Sequence, residues 1–311
     1  MRYHFHFMAW RRWFLGLSAL LLAVTFASLA IQGLNFGVDF AGGVVINYCY
    51  PKAVTQPQVR SVLDQQGLHG ATIQSLGTPT GCGKGYTTEY VVSTTPISNS
   101  TRLAATKAMQ TKLGAEQISL DEVQPVIGQQ LRTNAILAVA IATLLMVGYL
   151  AIRFEWRFSV AAIIKSLHDI ILTIGLFSLL HLQVNSPFIA AILTVYGYSM
   201  NDTVIVFDRI RERLRMRRRG ESLPDLIDTS INQTLNRTVN TVVTVVLALL
   251  AVYLFGGASV QGLVLAMLAG VIFGTYSSIF VASPIYMYFA EGGKNGSART
   301  EATARPRPAE G

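Results

Sequence analysis

The chain has 311 residues, of which 51% are hydrophobic and only 14% charged, with a net charge of +8. Soluble domains carry roughly a quarter charged residues, so this composition, with its mean hydropathy of +0.42, speaks against an ordinary soluble protein. The cations gather beside hydrophobic runs rather than over an aromatic-studded surface, which leaves nucleic-acid binding a poor second to membrane topology.

In chain order, residues 1–12 read as a short cytoplasmic N-terminus carrying Arg2, Arg11 and Arg12. The first apolar span, 13–33, is longer than a signal-peptide core. It is read as an uncleaved signal anchor, although Ser28-Leu29-Ala30 has the look of a processing site. Five further runs, near 132–152, 158–180, 187–207, 238–256 and 262–289, have the roughly 17 to 25 residues needed to cross the hydrocarbon layer. The predicted fold is therefore a polytopic α-helical membrane protein with six transmembrane helices.

Between the first two spans, residues 34–131 have the composition of a soluble domain, with six Lys/Arg balancing six Asp/Glu. GVVINYCY (43–50) is β-rich. TQPQVRSVLDQQG (55–67) predicts a helix with Thr55 as N-cap and Gly67 as its close. ATIQSLG and TTEYVVST have strand character, SNSTRLAATKAMQTKLG (98–114) is a second capped helix, and EQISLDEVQPV supplies a last strand. The order β-α-β-β-α-β predicts a ferredoxin-like α/β domain. Its turn 77–87 (GTPTGCGKGYT) is not a phosphate loop, because Thr78 and Gly85 stand where that loop needs Gly and Ser/Thr. Cys49 and Cys82 both fall in this domain; a disulfide and two free thiols are both compatible with the pattern, and two thiols are too few for a metal site.

Loop charge sets the orientation. The connections 181–186 and 256–262 hold no Lys or Arg, whereas the turn near 153–157 holds Arg153 and Arg157. The loop 208–237 carries an arginine cluster from Arg209 to Arg219, and the tail 290–311, expected to be disordered, adds Lys294, Arg299, Arg305 and Arg307. Short Lys/Arg-rich loops stay in the cytoplasm. Both termini are thus predicted inside and the α/β domain outside. After the cluster, Ser222 and Pro224 are read as opening a short amphipathic helix along the membrane surface.

Ionisable residues inside spans are costly and mark function. Asp202 lies deep in the fourth span, flanked by Asn201 and Thr203. Asp169, with His168, lies in the third, where Lys165 shares its face four residues away. Lys165 is shallow enough to snorkel, and a helix-packing ion pair with Asp169 is preferred over a proton-carrying role there, while Asp208, beside Arg209, is expected to be a solvated cap or a local ion pair. Arg237 begins a polar stripe on the fifth span with Gln233, Thr241 and Thr244, and Asp202–Arg237 is predicted as the strongest buried opposite-charge pair. Ala266, Gly270, Gly274 and Ser278, four apart on the sixth span, predict close helix packing. A second aspartyl-protease motif is missing, so the reading is not an enzyme.

Four blocks together resemble the SecF family, the smaller membrane subunit of the bacterial SecDF protein-export complex. They are FGVDFAGG (36–43), YGYSMNDTVIVFDRIRE (196–212), NQTLNRT (232–238) and FGTYSSIFVASP (273–284), in the family's order, within a resemblance covering residues 10 to 290. The resemblance implies half of a pseudo-symmetric transporter of the resistance-nodulation-division type in the inner membrane, with SecD as the other half. It implies action beside the SecYEG channel, driven by the SecA ATPase, and YajC as a further partner. The translocating unfolded polypeptide and membrane lipid are the other expected contacts, with no cofactor, metal or nucleic acid. It implies that proton flow assists export, with Asp202 as the proton-conducting carboxylate and Arg237 as its associated arginine. Asn201, Thr203, Thr241 and Asp169 are expected to support them. The alternatives are a scaffold tying SecD to the channel and a small-molecule proton-coupled efflux transporter.

Overall fold

The structure, a computed structural model, describes residues 5–76, 82–217, 220–256 and 258–291. Most of the tail 290–311, and the first part of the glycine-rich turn at 77–81, lie outside the described residues. One 3-10 turn (Phe7–Trp10) leads into α1 (Arg11–Gln32), followed by β1 (Asn35–Phe36), a single-turn α2 (Val38–Ala41) and β2 (Gly43–Tyr50). Then come α3 (Gln56–Asp64), β3 (Thr72–Ser75), β4 (Thr88–Thr94), α4 (Asn99–Leu113) and β5 (Glu116–Val123). The chain returns through α5 (Pro125–Arg153), α6 (Trp156–Leu179), β6 (Gln183–Val184), α7 (Ser186–Arg215), α8 (Leu223–Phe255) and α9 (Ala258–Ser277). A π-helical turn at Ser278–Ala282 carries the last helix on to Glu291. Among the described residues six helices are long and apolar enough to cross a membrane, so the chain is a polytopic helical membrane protein.

Local chemistry explains the small elements. Thr55 and Gln58 form a reciprocal capping box at the start of α3, satisfying two backbone donors that the first turn leaves free. The Ser98 hydroxyl accepts from Thr101 N to cap α4, and Gly114, at φ 68°, ends it in the left-handed region. The four strands β3-β4-β2-β5 form an antiparallel sheet, with Ile46 opposite Val92 on one side and Leu120 on the other. Its apolar side chains and those of α3 and α4 make one core, in which Tyr48, Tyr50, Val59, Leu63 and Met109 are buried. Cys49 and Cys82 are joined as a disulfide with Cα atoms 5.9 Å apart, which settles the open alternative and leaves neither sulfur free as a metal ligand beside Glu89.

The domain is tied to the helices by contacts that no sequence pattern announces. β1 and β6 pair in parallel, Asn35 with Gln183 and Phe36 with Val184, so the segment after α1 is stitched to the α6–α7 connection. Gly43 (φ 153°) lies against the Thr94 carbonyl, where any Cβ would collide. A Cβ on Gly128 of α5 would sit 2.9 Å from the Phe40 carbonyl. These two glycines let the chain turn from α2 into β2 while α5 packs directly alongside.

In the bundle, α7 packs on α9, α1 on α6, and α8 on α9. The N-terminal residues clamp the start of α8: Phe5 N donates to Asn232 Oδ1 at 3.0 Å and Met8 N to Asp228 Oδ1 at 2.9 Å. One expectation needs correction here. No separate surface helix follows the arginine cluster, because Ser222 caps one continuous 33-residue helix, α8. Leu226 and Ile227 are buried in the helix-bundle core, which offers them more apolar contact than the headgroup layer. Asp208 pairs with Arg153 of α5 at 3.1 Å, since α7 presents it to the neighbouring helix end, while Arg209 turns to Glu212.

The disulfide closes a 33-residue separation, which constrains the unfolded chain by about 3–4 kcal/mol in the loop-entropy account. Cys49→Ser is expected to lower the stability of the α/β domain by about that much and to make β3–β4 susceptible to limited proteolysis. Peptide mapping without reductant is expected to recover the linked pair.

Candidate intramembrane site

Three helices form the inner layer of the bundle. Half or more of the most apolar stretches of α6, α7 and the last span is buried, against 6% for α5 and α8. The inner layer carries the buried charges.

Lys165 of α6 is fully buried, and its Nζ lies 2.9 Å from Asp169 Oδ2 one turn away. Lys165 Nζ also donates to the Ser199 carbonyl at 3.0 Å and to the Ser199 hydroxyl. That hydroxyl in turn donates to Asp169 Oδ2 at 2.6 Å. A closed triangle of ammonium, hydroxyl and carboxylate thus joins α6 to α7, each group answering the charge of the next. His168 Nδ1 reaches Asp169 Oδ1 at 3.2 Å, while His168 Nε2 is buried with no hydrogen-bond partner among the described residues.

Lys165 does not snorkel, and the helix-packing ion pair with Asp169 forms in its place. Its side chain has no exposed surface, because a carboxylate one turn along and a carbonyl on α7 together replace the water it would otherwise seek. This pair, and not Asp202–Arg237, is the buried salt bridge found among the described residues.

Asp202 sits on α7 one turn beyond Ser199 and is 1% exposed. Among the described residues its one hydrogen bond is long, 3.5 Å from Thr275 Oγ1 of α9, and Thr275 donates at 2.8 Å to the Val271 carbonyl of its own helix. Lys165 and Arg237 both attract the Asp202 charge through space, yet among the described residues neither forms an ion pair with it. Arg237 is exposed on α8. Its stripe turns outward as well: Thr241 and Thr244 Oγ1 bond to the Arg237 and Asn240 carbonyls, so these hydroxyls are satisfied by their own helix. Asn201 is exposed and lines a groove of about 430 Å³ with Tyr149, Gly197 and Met200, between α5 and α7. Thr203 is buried, donating to the Ser199 carbonyl at 3.1 Å and lying 3.4 Å from Ser278 Oγ.

The structure therefore brings Asp169, Thr203 and Asp202 into one layer with Ser199 and Thr275, which sequence reasoning does not single out, and with Ser278, which it reads only as a small packing residue. A serine or threonine in an apolar run carries no sign of which face it occupies; only the spacing of Ser199, three residues before Asp202, gives a hint. The ridge on α9 explains how the layer closes. A Cβ on Gly274 would stand 2.7 Å from Ser199 Oγ, and one on Gly270 would overlap Val195, so the small residues allow α9 to lie against α7 where the charges are. The ridge ends at Ser278, where the helix opens into the π-helical turn, a form that concentrates at functional sites.

The fold and site thus define an integral membrane protein with a charge network at the centre of its helices and an α/β domain inserted after the first. Residues 103–292 match the family described as protein export membrane protein SecD/SecF, C-terminal, and residues 27–48 match the SecD/SecF GG motif. The protein translocase subunit SecF of Magnetococcus marinus is 38% identical, covering 97% of both chains. That of Gemmatimonas aurantiaca is 36% identical over 91% of this chain and 86% of its own. The crystal structure of SecDF, a translocon-associated membrane protein from Thermus thermophilus, superposes with a TM-score of 0.81 at 35% identity. That match covers 93% of this chain and 39% of the SecDF chain. The chain belongs to the SecF family of protein-export membrane proteins.

Removing one partner of a buried ion pair leaves the other charge stranded, at about 3–5 kcal/mol. Lys165→Met is expected to destabilise the purified protein by that order, and Lys165→Met with Asp169→Leu to recover most of the loss. Thermal unfolding of the three variants in one detergent measures the coupling.

Proposed function

We propose that this chain is a protein translocase subunit that works with SecD to assist Sec-dependent export at the inner membrane, drawing on the proton gradient through Asp202. The observation that carries the proton assignment is the environment of Asp202. It is buried at membrane depth, with a single 3.5 Å hydrogen bond and no ion pair among the described residues, whereas Asp169 on the neighbouring helix is fully compensated. A carboxylate so weakly held is the one whose protonation changes the balance of charge. The SecF and SecDF relatives support the export reading. The absence of Lys and Arg from the 181–186 connection, against their abundance between Arg209 and Arg217, supports cytoplasmic termini and a periplasmic α/β domain. The element order and the strand order β3-β4-β2-β5 support a ferredoxin-like sandwich for that domain.

Arg237 acts in this reading as the countercharge across the interface with SecD. Its exposure on a helix that buries little of its apolar surface favours a site completed by the partner. Asn201, Thr203 and Thr241 supply polar surroundings, and Asp169 anchors α6 to α7. When a proton neutralises Asp202, its attraction to Arg237 and Lys165 is lost and the carboxyl tolerates drier packing. The resulting shift of α7 along the glycine ridge of α9 is carried to the far end of the helix, some 16 residues or about 24 Å away. There Ser186 N donates to Asp39 Oδ2 at 2.8 Å, and Asp39 belongs to α2, which leads into β2. The electrical part of the driving force is about 2.3 kcal/mol per charge per 100 mV. Partners at the channel (SecYEG, with SecA and YajC) and the emerging unfolded polypeptide follow from the family reading.

Asp202→Asn, co-reconstituted with SecD in vesicles, is expected to abolish proton flux and to slow export while SecD still co-purifies. Unchanged flux and export at normal protein level would overturn the proton assignment. Loss of SecD co-purification instead would favour a scaffolding role.

A further inference from the structure

Where α5 enters the bundle, a cleft of about 310 Å³ opens between α5, α6 and α7 beneath the loop that carries β1 and α2. Its walls are apolar throughout, built from residues such as Phe36, Phe40, Ile136, Ile174 and Phe188, and Arg132 is the one charged residue that lines it. That volume is within the range of ligand-binding cavities. The guanidinium of Arg132 lies 4.7 Å over the Phe36 ring. Among the described residues no carboxylate lies within salt-bridge distance of it. The cation is therefore held in place by an aromatic face and carries an unanswered charge.

The setting narrows the occupant. Arg132 stands two turns into α5, and the helix beyond it faces outward with exposed apolar side chains: Ile136 at 64%, Leu144 at 70% and Leu145 at 69% exposure. The mouth of the cleft thus opens to hydrocarbon, and the arginine marks the level at which the helix leaves it. A single cation above an apolar slot is complementary to an amphiphile with an anionic head and a long chain. Arg binds phosphate by parallel N–H donors, and a lipid chain needs no hydrogen bonds from the walls.

We propose that this cleft holds one acyl chain of a membrane phospholipid, with its phosphodiester on Arg132. The roof of the site is the Phe36–Phe40 segment, which is pinned by the Phe36–Val184 pairing below and runs directly into β2. A bound lipid braces that segment, so the junction between helices and α/β domain has a lipid component.

The test uses the full-length chain in phosphatidylethanolamine vesicles containing phosphatidylglycerol with a photoreactive diazirine on its acyl chain. Labelling is expected to concentrate on residues around Phe40, Ile136 and Phe188, above the level at Leu144 and Leu145. Loss of a charge-assisted contact corresponds to about tenfold, so Arg132→Gln is expected to cut the cleft labelling by about that factor. Arg132→Lys, which keeps the charge, is expected to retain part of it, and Ala135→Trp is expected to block it by filling the slot. Unchanged thermal unfolding of the variants separates these effects from misfolding. Labelling spread evenly along α5, or insensitive to Arg132→Gln, would overturn the proposal. So would a photocrosslinker at Ile136 that captures a polypeptide in place of lipid.

Discussion

An ion in hydrocarbon must be answered by protein, and the inner helices are arranged around that requirement. Lys165, Asp169 and Ser199 satisfy one another across α6 and α7, so the pair serves as a fixed polar joint between the two helices. The joint then dictates the packing of the third. α9 must come close enough to seal the charges from lipid, and only Gly270 and Gly274 leave room for Val195 and Ser199. Replacing both charged members of the joint by apolar residues is expected to be close to neutral in stability; what the joint does in the structure is hold Ser199 of α7 against Lys165 and Asp169 of α6.

Against that compensated pair, Asp202 is the exception. It shares the burial of Asp169 but not its partners, and the groups that would complete it lie at a distance or on an exposed face. The outer helices α5 and α8 bury little of their apolar length, and Arg237 is displayed on α8. An outward polar stripe in a membrane helix is costly against lipid, so the exposed face of α8 is suited to a second helical subunit. The SecDF chain, of which this chain matches 39%, has the additional length in which such a subunit can reside.

The coupling between membrane and α/β domain rests on short elements. The paired β1 and β6, the capped start of α7 at Asp39, and the close approach of α2 to α5 at Gly128 hold three points of the junction together. Their effect is geometric, because the head of α7 is bonded to a segment that continues without a linker into β2.

Much is legible in the sequence because it depends on local or one-dimensional rules. Apolar length sets six spans, loop charge orders the expected sides, and capping residues such as Thr55, Ser98 and Gly114 mark the helices of the α/β domain. The cost of burying a carboxylate is enough to single out Asp202 and Asp169. Which charges meet is a different matter. Lys165 reads as shallow because depth along a helix is visible in a sequence, while the neighbour on α7 that lets it stay buried is not. Chemistry alone pairs Arg237 with Asp202, whereas its helix turns the side chain outward. The course of α8 is hidden for the same reason, since the apolar face of Leu226 and Ile227 fits a headgroup layer and a protein core equally well. Helical period tells which residues share a face. Only the tertiary structure shows what that face touches, because the energy of a buried charge depends on partners that are distant in the chain.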